Sequence, residues 1–581
     1  MAARLTAFLV VAIVAVTVIA GLIVGAQRDD ENGPVDLIVY NGKVFGGEAT
    51  GTFAEAVAVR GNRILRFGSN REIKRLRRPQ TTVIDAHGGA VLPGINDAHV
   101  HFLSGGLELD RLDLLDATTL PEIEAKIQAF ATAHPDRPWV LGRGWYYQPF
   151  PGGLPTRHQL DALVPDRPAF LRAYDGHTAW VNSKALELAG ITRRTPNPKN
   201  GVVVKDARTG EPTGVLKEAA MPLVSKLLPE PTRDDKLRAL RAAIGEAHAL
   251  GVTSVQNASG SPEEFELYEE LRRSGDLAVR VYSAVSIDGT LTEADVDRLD
   301  GIRRRLGDDP LFKTGAVKLM ADGVIEAHTA SMLEPYANRP GVKGTPNYTA
   351  EELDRVVALM DRRGWQVMIH AIGDAGIRQA IDALERAAQT NPAPERERRH
   401  RIEHIETIDP ADIPRFGQLG VIASMQPFHA NPSPNQIDVW AGNIGPDRAS
   451  RGWGYRSIHA AGGRLAFGSD WPVVTLDPRM GLNMAVNRTT PGGTPEGGWY
   501  PDQRLAVPLA VAAYTSGAAY ASFDEHRKGT LKPGMLADLV VLSADIFAAP
   551  ASKLLDAQVD VTIFDGNIVY QRANSSLRRT H

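Results

Sequence analysis

From about residue 90 to about 525, short apolar runs alternate with helical stretches, and this alternation constrains the fold more than any other feature of the chain. The run Ala316-Val317-Lys318-Leu319-Met320 precedes a helical pattern from about Ala350 to Arg363 and the run Gln366-Val367-Met368-Ile369-His370. A second helical pattern from about Ala375 to Gln389 leads to Arg401-Ile402-Glu403-His404. Strands that alternate with helices form βα units on a parallel sheet. A (β/α)8 TIM barrel takes roughly 250 to over 400 residues with insertions, so 581 residues suit an α/β barrel plus one smaller domain. Residues 91–525 are assigned to the barrel. The stretch 105–235, rich in Pro, Gly and aromatic residues, reads as an insertion within it.

Both ends of the chain carry short strand patterns. Asp36 to Phe45 reads as two strands joined by a turn at Asn41-Gly42, and Ala56-Val57-Ala58-Val59 and Thr82-Val83-Ile84-Asp85 continue it. Near the other end, Asp538 to Leu542 and Val561 to Phe564 precede a turn at Asp565-Gly566-Asn567. Neither set can bury a core alone, so residues 35–90 and 526–572 are expected to build one small β-domain together.

Ahead of them, Leu5 to Ala26 is apolar and uncharged, flanked by Arg4 and by Arg28, Asp29 and Asp30. That run is long enough for a membrane-spanning helix, which needs about 20 apolar residues. It also ends in Val24-Gly25-Ala26, a pattern open to signal peptidase. Residues 1–26 are therefore read as an N-terminal hydrophobic helix, either a transmembrane anchor or a signal peptide cleaved after Ala26. The protein is expected outside the cytoplasm, held on the outer face of the membrane or secreted. The chain has no Cys, which excludes a lipoprotein anchor, disulfides and thiolate metal sites. A net charge of -4 without a concentrated basic patch gives no support for a nucleic-acid partner. One long apolar segment is too few for a transporter.

The chemistry-bearing residues fall at strand ends. In Asp97-Ala98-His99-Val100-His101, residues two apart share a face, so His99 and His101 can meet one ion. His370 and His404 close the apolar runs before them, and Asp470 closes Leu465-Ala466-Phe467-Gly468-Ser469. Active sites of (β/α)8 enzymes are built from such C-terminal strand ends. Lys318 interrupts a strand expected to be buried. It either snorkels or pairs with Asp322, or it is carbamylated by CO2 and bridges two metals.

The segments LPGINDAHVHF, DGHTAWVNSKAL, VKLMADG, IHAIGD, RIEHIE, AFGSDWPV and GTLKPGMLADLVVLS together resemble the amidohydrolase superfamily, specifically its amidohydrolase-3 group. The resemblance covers about residues 35–572. It implies a barrel flanked by a β-sandwich made from both termini, and a centre of two divalent metal ions, usually zinc. His99, His101, carbamylated Lys318 and Asp470 would hold the first ion, and Lys318, His370 and His404 the second. It implies hydrolysis of a C–N bond other than a peptide bond in a small-molecule substrate, by metal-activated hydroxide. Asp470 would act as general base and then acid. Neutral histidines are required, so activity is expected to fall below about pH 6.

His177, in the insertion motif Asp175-Gly176-His177, is a candidate for substrate binding or for stabilising its loop. Trp145, with Tyr146, Tyr147 and Phe150, either walls a substrate pocket or packs the insertion. Asp322-Gly323-Val324-Ile325-Glu326 departs from the Asp-Gly-Ser-Leu-Gly pattern of many relatives, which bears on substrate and leaves the ligands untouched. The alternatives are the same metal site acting on an ester or lactone, and a non-catalytic membrane-tethered binding protein. Homo-oligomerisation stays open.

Overall fold

The computed structural model describes residues 35–147, 149–174, 178–198, 201–573 and 579–580. The hydrophobic segment 1–26 and His177 lie outside the described residues. Among those described, no helix is long and apolar enough to cross a membrane. The chain divides into two compact units, residues 96–504 and the terminal segments before and after them.

In the larger unit, eight parallel strands are hydrogen-bonded in sequence order: β1 (Ile95–Val100), β2 (Val252–Gly260), β3 (Arg280–Ser286), β4 (Phe312–Met320), β5 (Gln366–Ala371), β6 (Arg401–His404), β7 (Ile422–Met425) and β8 (Arg464–Phe467). This is the nearly closed sheet of a TIM barrel. Beyond the last rungs, Asp470 N donates to His99 O (2.7 Å) and His101 N donates to Trp471 O (2.8 Å), which joins the end of the sheet to its beginning. Gly468 makes this approach possible, since a Cβ there would lie 2.4 Å from His99 N.

The intervening helices follow from local chemistry. Thr232, Ser261, Thr292 and Thr349 each cap a helix through the side-chain oxygen. In the helix Ala350–Arg362, Leu353, Val356, Val357 and Met360 fall at helical spacing and are buried, so one stripe seals the barrel while the opposite side stays in water. The strands are buried almost throughout, polar residues included, and β4 is buried at every position except Met320.

The insertion after β1 has a sheet of its own. Its strands run in the order Gly201–Lys205, Pro212–Glu218, Thr178–Val181, Ala169–Ala173, Val140–Trp145 and Leu112–Asp113. Trp145 has no exposed surface and donates its indole N–H to Leu171 O at 2.9 Å. Tyr147 and Phe150 meet it edge-on, with centroids 5.1 and 5.6 Å away. The structure thus places Trp145 in the packing of the insertion, where it has no surface to offer a substrate.

In the terminal unit, one sheet takes Leu37–Tyr40, Ala56–Arg60, Arg63–Gly68, Thr82–Asp85 and Arg579–Thr580. The other takes Lys43–Phe45, Phe53–Ala54 and Ala90–Pro93 with Leu539–Leu542, Val559–Phe564 and Asn567–Gln571. The two strands flanking Asn41-Gly42 therefore enter different sheets, with Asn41 at φ 55° turning the chain between them. A single apolar core that includes Val39, Val57, Val91, Leu539 and Ile563 draws on both sheets and on both ends of the chain.

Candidate metal centre

The strand-end residues converge. His99 Nε2 and His101 Nε2 lie 3.4 and 3.0 Å from Asp470 Oδ1. His404 Nδ1 lies 4.0 Å from Asp470 Oδ2, and its ring centroid is 4.5 Å from that of His370. Lys318 Nζ is 3.5 Å from His99 Nε2. Register explains part of this, since β5 sets His370 beside Glu403 and Ala371 beside His404. Two of the donors also need unusual backbone. His404 (φ 73°) and Asp470 (φ 63°) occupy the left-handed region, which is uncommon for residues other than glycine and concentrates at functional sites.

Three of the four rings, those of His99, His101 and His370, are held from behind. Glu403 Oε2 is 2.6 Å from His99 Nδ1 and can only accept, so Nδ1 carries the proton and Nε2 offers its lone pair to the centre. Arg401 keeps that carboxylate ionised, donating Nε to Oε1 (2.8 Å) and Nη2 to Oε2 (2.9 Å), with both residues fully buried. Ser259 Oγ is 2.6 Å from His101 Nδ1. His370 Nε2 donates to Gly323 O at 3.3 Å, which leaves its Nδ1 as the free lone pair. Asp322 is not used as a partner for Lys318. Its carboxylate accepts from Ser331 N, Ile372 N and Gly373 N at 2.9, 3.0 and 2.9 Å, so it clamps the loops after β4 and β5.

Burial pushes His99 down to about 4 and His370 down to about 3, with the Lys318 charge adding to both. Burial, then His370, drives His404 well below its ordinary value. Burial also lowers the Lys318 amine. For Asp470 burial acts upward and is outweighed by His99, His101 and His404, which hold it well below the carboxylate range. Arg401 and His99 do the same for Glu403.

These shifts fix a pH dependence. The three imidazoles protonate near pH 6.5 in the unfolded chain and at much lower pH in the folded one. As pH falls the unfolded state takes up protons first, so stability present above about 6.5 is lost progressively from there. The loss continues toward the folded values near 4 for His99 and 3 for His370. Over the same window Asp97, Asp322, Glu264 and Glu326, lifted by burial to about 7, take up protons in the folded state and oppose that loss. The imidazole part is therefore read ring by ring: in metal-free protein, NMR titration is expected to find His99 and His370 still neutral at about pH 5, and a protonated ring there would contradict the neutral, buried assignment.

The donor set fits a divalent cation. One ligand atom each from His99, His404 and Asp470 lie within 4.8 Å of one another, all buried. His404 Nδ1 and Asp470 Oδ1 have no hydrogen-bond partner, an expensive condition for buried polar atoms unless something binds them. Imidazole and carboxylate donors suit Zn, Mn, Fe or Ni.

Sequence reasoning did not find Glu403, Ser259 or His429. His429 Nε2 lies 3.6 Å from Asp470 Oδ2, and His429 Nδ1 lies 3.8 Å from Glu406 Oε1. Its signal was a histidine four residues past the apolar run that becomes β7.

Residues 82–570 match the family model described as Amidohydrolase family. The chain is 32% identical over 544 residues to Protein LONG AFTER FAR-RED 3 of Arabidopsis thaliana, covering 92% of this chain and 91% of that protein. It is 28% identical over 551 residues to N-substituted formamide deformylase of Arthrobacter pascens, covering 93% and 99%. An uncharacterized metal-dependent hydrolase from Pyrococcus horikoshii OT3 superposes with a TM-score of 0.70 at 25% identity, covering 89% of this chain and 99% of that one.

Proposed function

The chain belongs to the amidohydrolase family, and on that premise we propose that it is a metal-dependent hydrolase of an amide-type C–N bond outside peptides. One observation carries the reading: ligand atoms of His99, His404 and Asp470 meet at the C-terminal ends of barrel strands, and two of them, His404 Nδ1 and Asp470 Oδ1, are buried without a hydrogen-bond partner. Similarity to a protein named N-substituted formamide deformylase makes formamides the first substrates to test.

In this reading His99, His101, Lys318 and Asp470 would hold one zinc ion, and Lys318, His370 and His404 a second. Burial lowers the Lys318 amine, which in its unprotonated form would add CO2 and lose a proton to give a carbamate able to serve both ions. When bound, the ions supply Lewis acidity toward the carbonyl and make a water acidic enough to attack near neutral pH. The chain does the rest. Asp470 takes the proton of the attacking water on its carboxylate and returns it to the leaving nitrogen. Glu403 keeps His99 in one tautomer and orientation.

The two-sheet terminal unit is read as a β-sandwich, supported by the core its sheets share. The uncharged run Leu5 to Ala26 supports export, with the segment kept as an anchor or cut after Ala26.

Elemental analysis of protein purified without chelators or affinity metals is expected to give close to two divalent ions per chain. Lys318→Ala should lose the second ion and regain part of it with small carboxylates. One ion in the parent protein would demote Lys318 to a structural role, and none after incubation with metal would sink the hydrolase reading. A panel of formamides, amides, esters and lactones then separates the bond types.

A further inference from the structure

The insertion sheet carries a like-charge pair that its own fold does not explain. Arg143 and Arg172 are register partners on neighbouring parallel strands, so both side chains stand on one face. Like charges directly opposite destabilise a sheet. Leu141 and Phe170, the register pair two residues earlier on the same face, line the same cleft as the two arginines. Arg111 and Glu108 complete the cleft wall and neutralise each other through a 2.6 Å ion pair. Asp113, the register partner of Arg143 on its other side, sets a carboxylate beside Arg143, whereas the other partner of Arg172 is Ala179, so the uncompensated charge of the pair is that of Arg172. Arg143 spends one N–H on Pro472 O at 3.1 Å, and Arg172 is exposed with no partner among the described residues. The cleft therefore presents two guanidinium groups above an apolar floor in a cavity of about 50 Å³.

The geometry points to an oxyanion subsite between Arg143 and Arg172, taking a carboxylate or similar head. Guanidinium forks match such groups through paired hydrogen bonds, and an anion between them would cancel the repulsion. The cleft is tied to proposed ligands through its wall residue Glu108 and through Pro472, whose carbonyl accepts from Arg143. Glu108 lies on the helix that starts directly after His101, and Pro472 is two residues past Asp470. At 1.5 Å per helical residue, Glu108 is roughly 10 Å from His101. The subsite is assigned to an anionic group of the amide substrate, carried away from the hydrolysed bond. This assignment of the anion to substrate rests on the hydrolase reading, while the subsite itself does not.

The test compares wild type with Arg172→Gln and Arg172→Lys, titrating sulfate against chloride at matched ionic strength and reading the melting temperature. A saturating rise in wild type, weakened in Arg172→Lys and absent in Arg172→Gln, is expected. No sulfate-specific rise in wild type, or an equal rise in Arg172→Gln, overturns the subsite. Without sulfate, Arg172→Gln should melt no lower than wild type, because a repulsive pair is gone. Kinetics then identifies the source of the anion. Arg172→Gln should raise KM about 10- to 100-fold for an amide bearing a carboxylate and leave its neutral analogue unchanged. Unchanged KM for both, with sulfate binding lost, overturns the substrate assignment in favour of a free anion. If neither amide is hydrolysed by wild type, the hydrolase reading fails and the sulfate titration still judges the subsite.

Discussion

Asp470→Asn is expected to fold and to lose nearly all hydrolysis, with kcat/KM down by about 10²- to 10⁴-fold, the usual worth of a positioned acid–base group. Asparagine is the informative replacement because Asp470 sits at φ 63°. Asn tolerates the left-handed region, whereas Ala there would add strain of about 1–2 kcal/mol. The amide also keeps the shape that meets His101 Nε2 at 3.0 Å. It lacks the basicity to take a proton from water. Melting temperature and metal content measured on the same preparation separate the chemical loss from loss of a ligand. Activity within threefold of wild type would remove Asp470 from the reaction.

Glu403→Gln should be the most damaging change away from direct substrate contact. It strands the Arg401 guanidinium, fully buried, with no compensating charge. Breaking one side of a buried pair typically costs about 3–5 kcal/mol. It also weakens the acceptor that orients His99, for which a 10- to 100-fold drop in metal affinity is the general expectation. Replacing both residues, Arg401→Met with Glu403→Met, separates the two effects. Removing a buried pair whole is often neutral, so most of the stability should return. Metal affinity should not, because His99 Nδ1 still lacks its acceptor. Arg401 holds Ala98 O (2.7 Å) and Ser424 Oγ (2.8 Å) as well, so recovery of stability is expected to be large and incomplete. Equal recovery of metal affinity in the double variant would show that Glu403 does not orient His99.

Much of the site was legible because strand periodicity and strand ends are local properties. His99 and His101 announce themselves two residues apart, His370 and Asp470 close apolar runs, and His404 closes the short segment Arg401-Ile402-Glu403. The βα alternation was readable for the same reason, and the helix expected at about Ala350 to Arg363 is found at Ala350–Arg362. What could not be read depends on partners distant in sequence. Glu403 meets His99 across 304 residues, and nothing within Arg401-Ile402-Glu403 says that its charges point inward and are paired. Ser259 reaches His101 across 158 residues. The Lys318–Asp322 pairing suggested by proximity fails because Asp322 is drawn off by three backbone N–H groups. The insertion was recognisable by composition, but its sheet was not. Leu112–Asp113 and Val140–Trp145 pair across an intervening helix, and a two-residue strand has no period to detect.

The barrel's seam has a consequence for how the protein comes into being. Asp97, at the front of the barrel, accepts a hydrogen bond from Ser469 N, 372 residues later, and Asp470 follows at once. The first two donors of the centre are thus made early in synthesis and the last one late. Until residue 470 has emerged and β8 has joined the sheet, His99 and His101 lack the carboxylate of Asp470. A nascent or truncated chain ending before that point lacks Asp470 and cannot assemble the centre. Acquisition of metal would then mark a finished barrel, and a bound ion would act as the latch on its final joint.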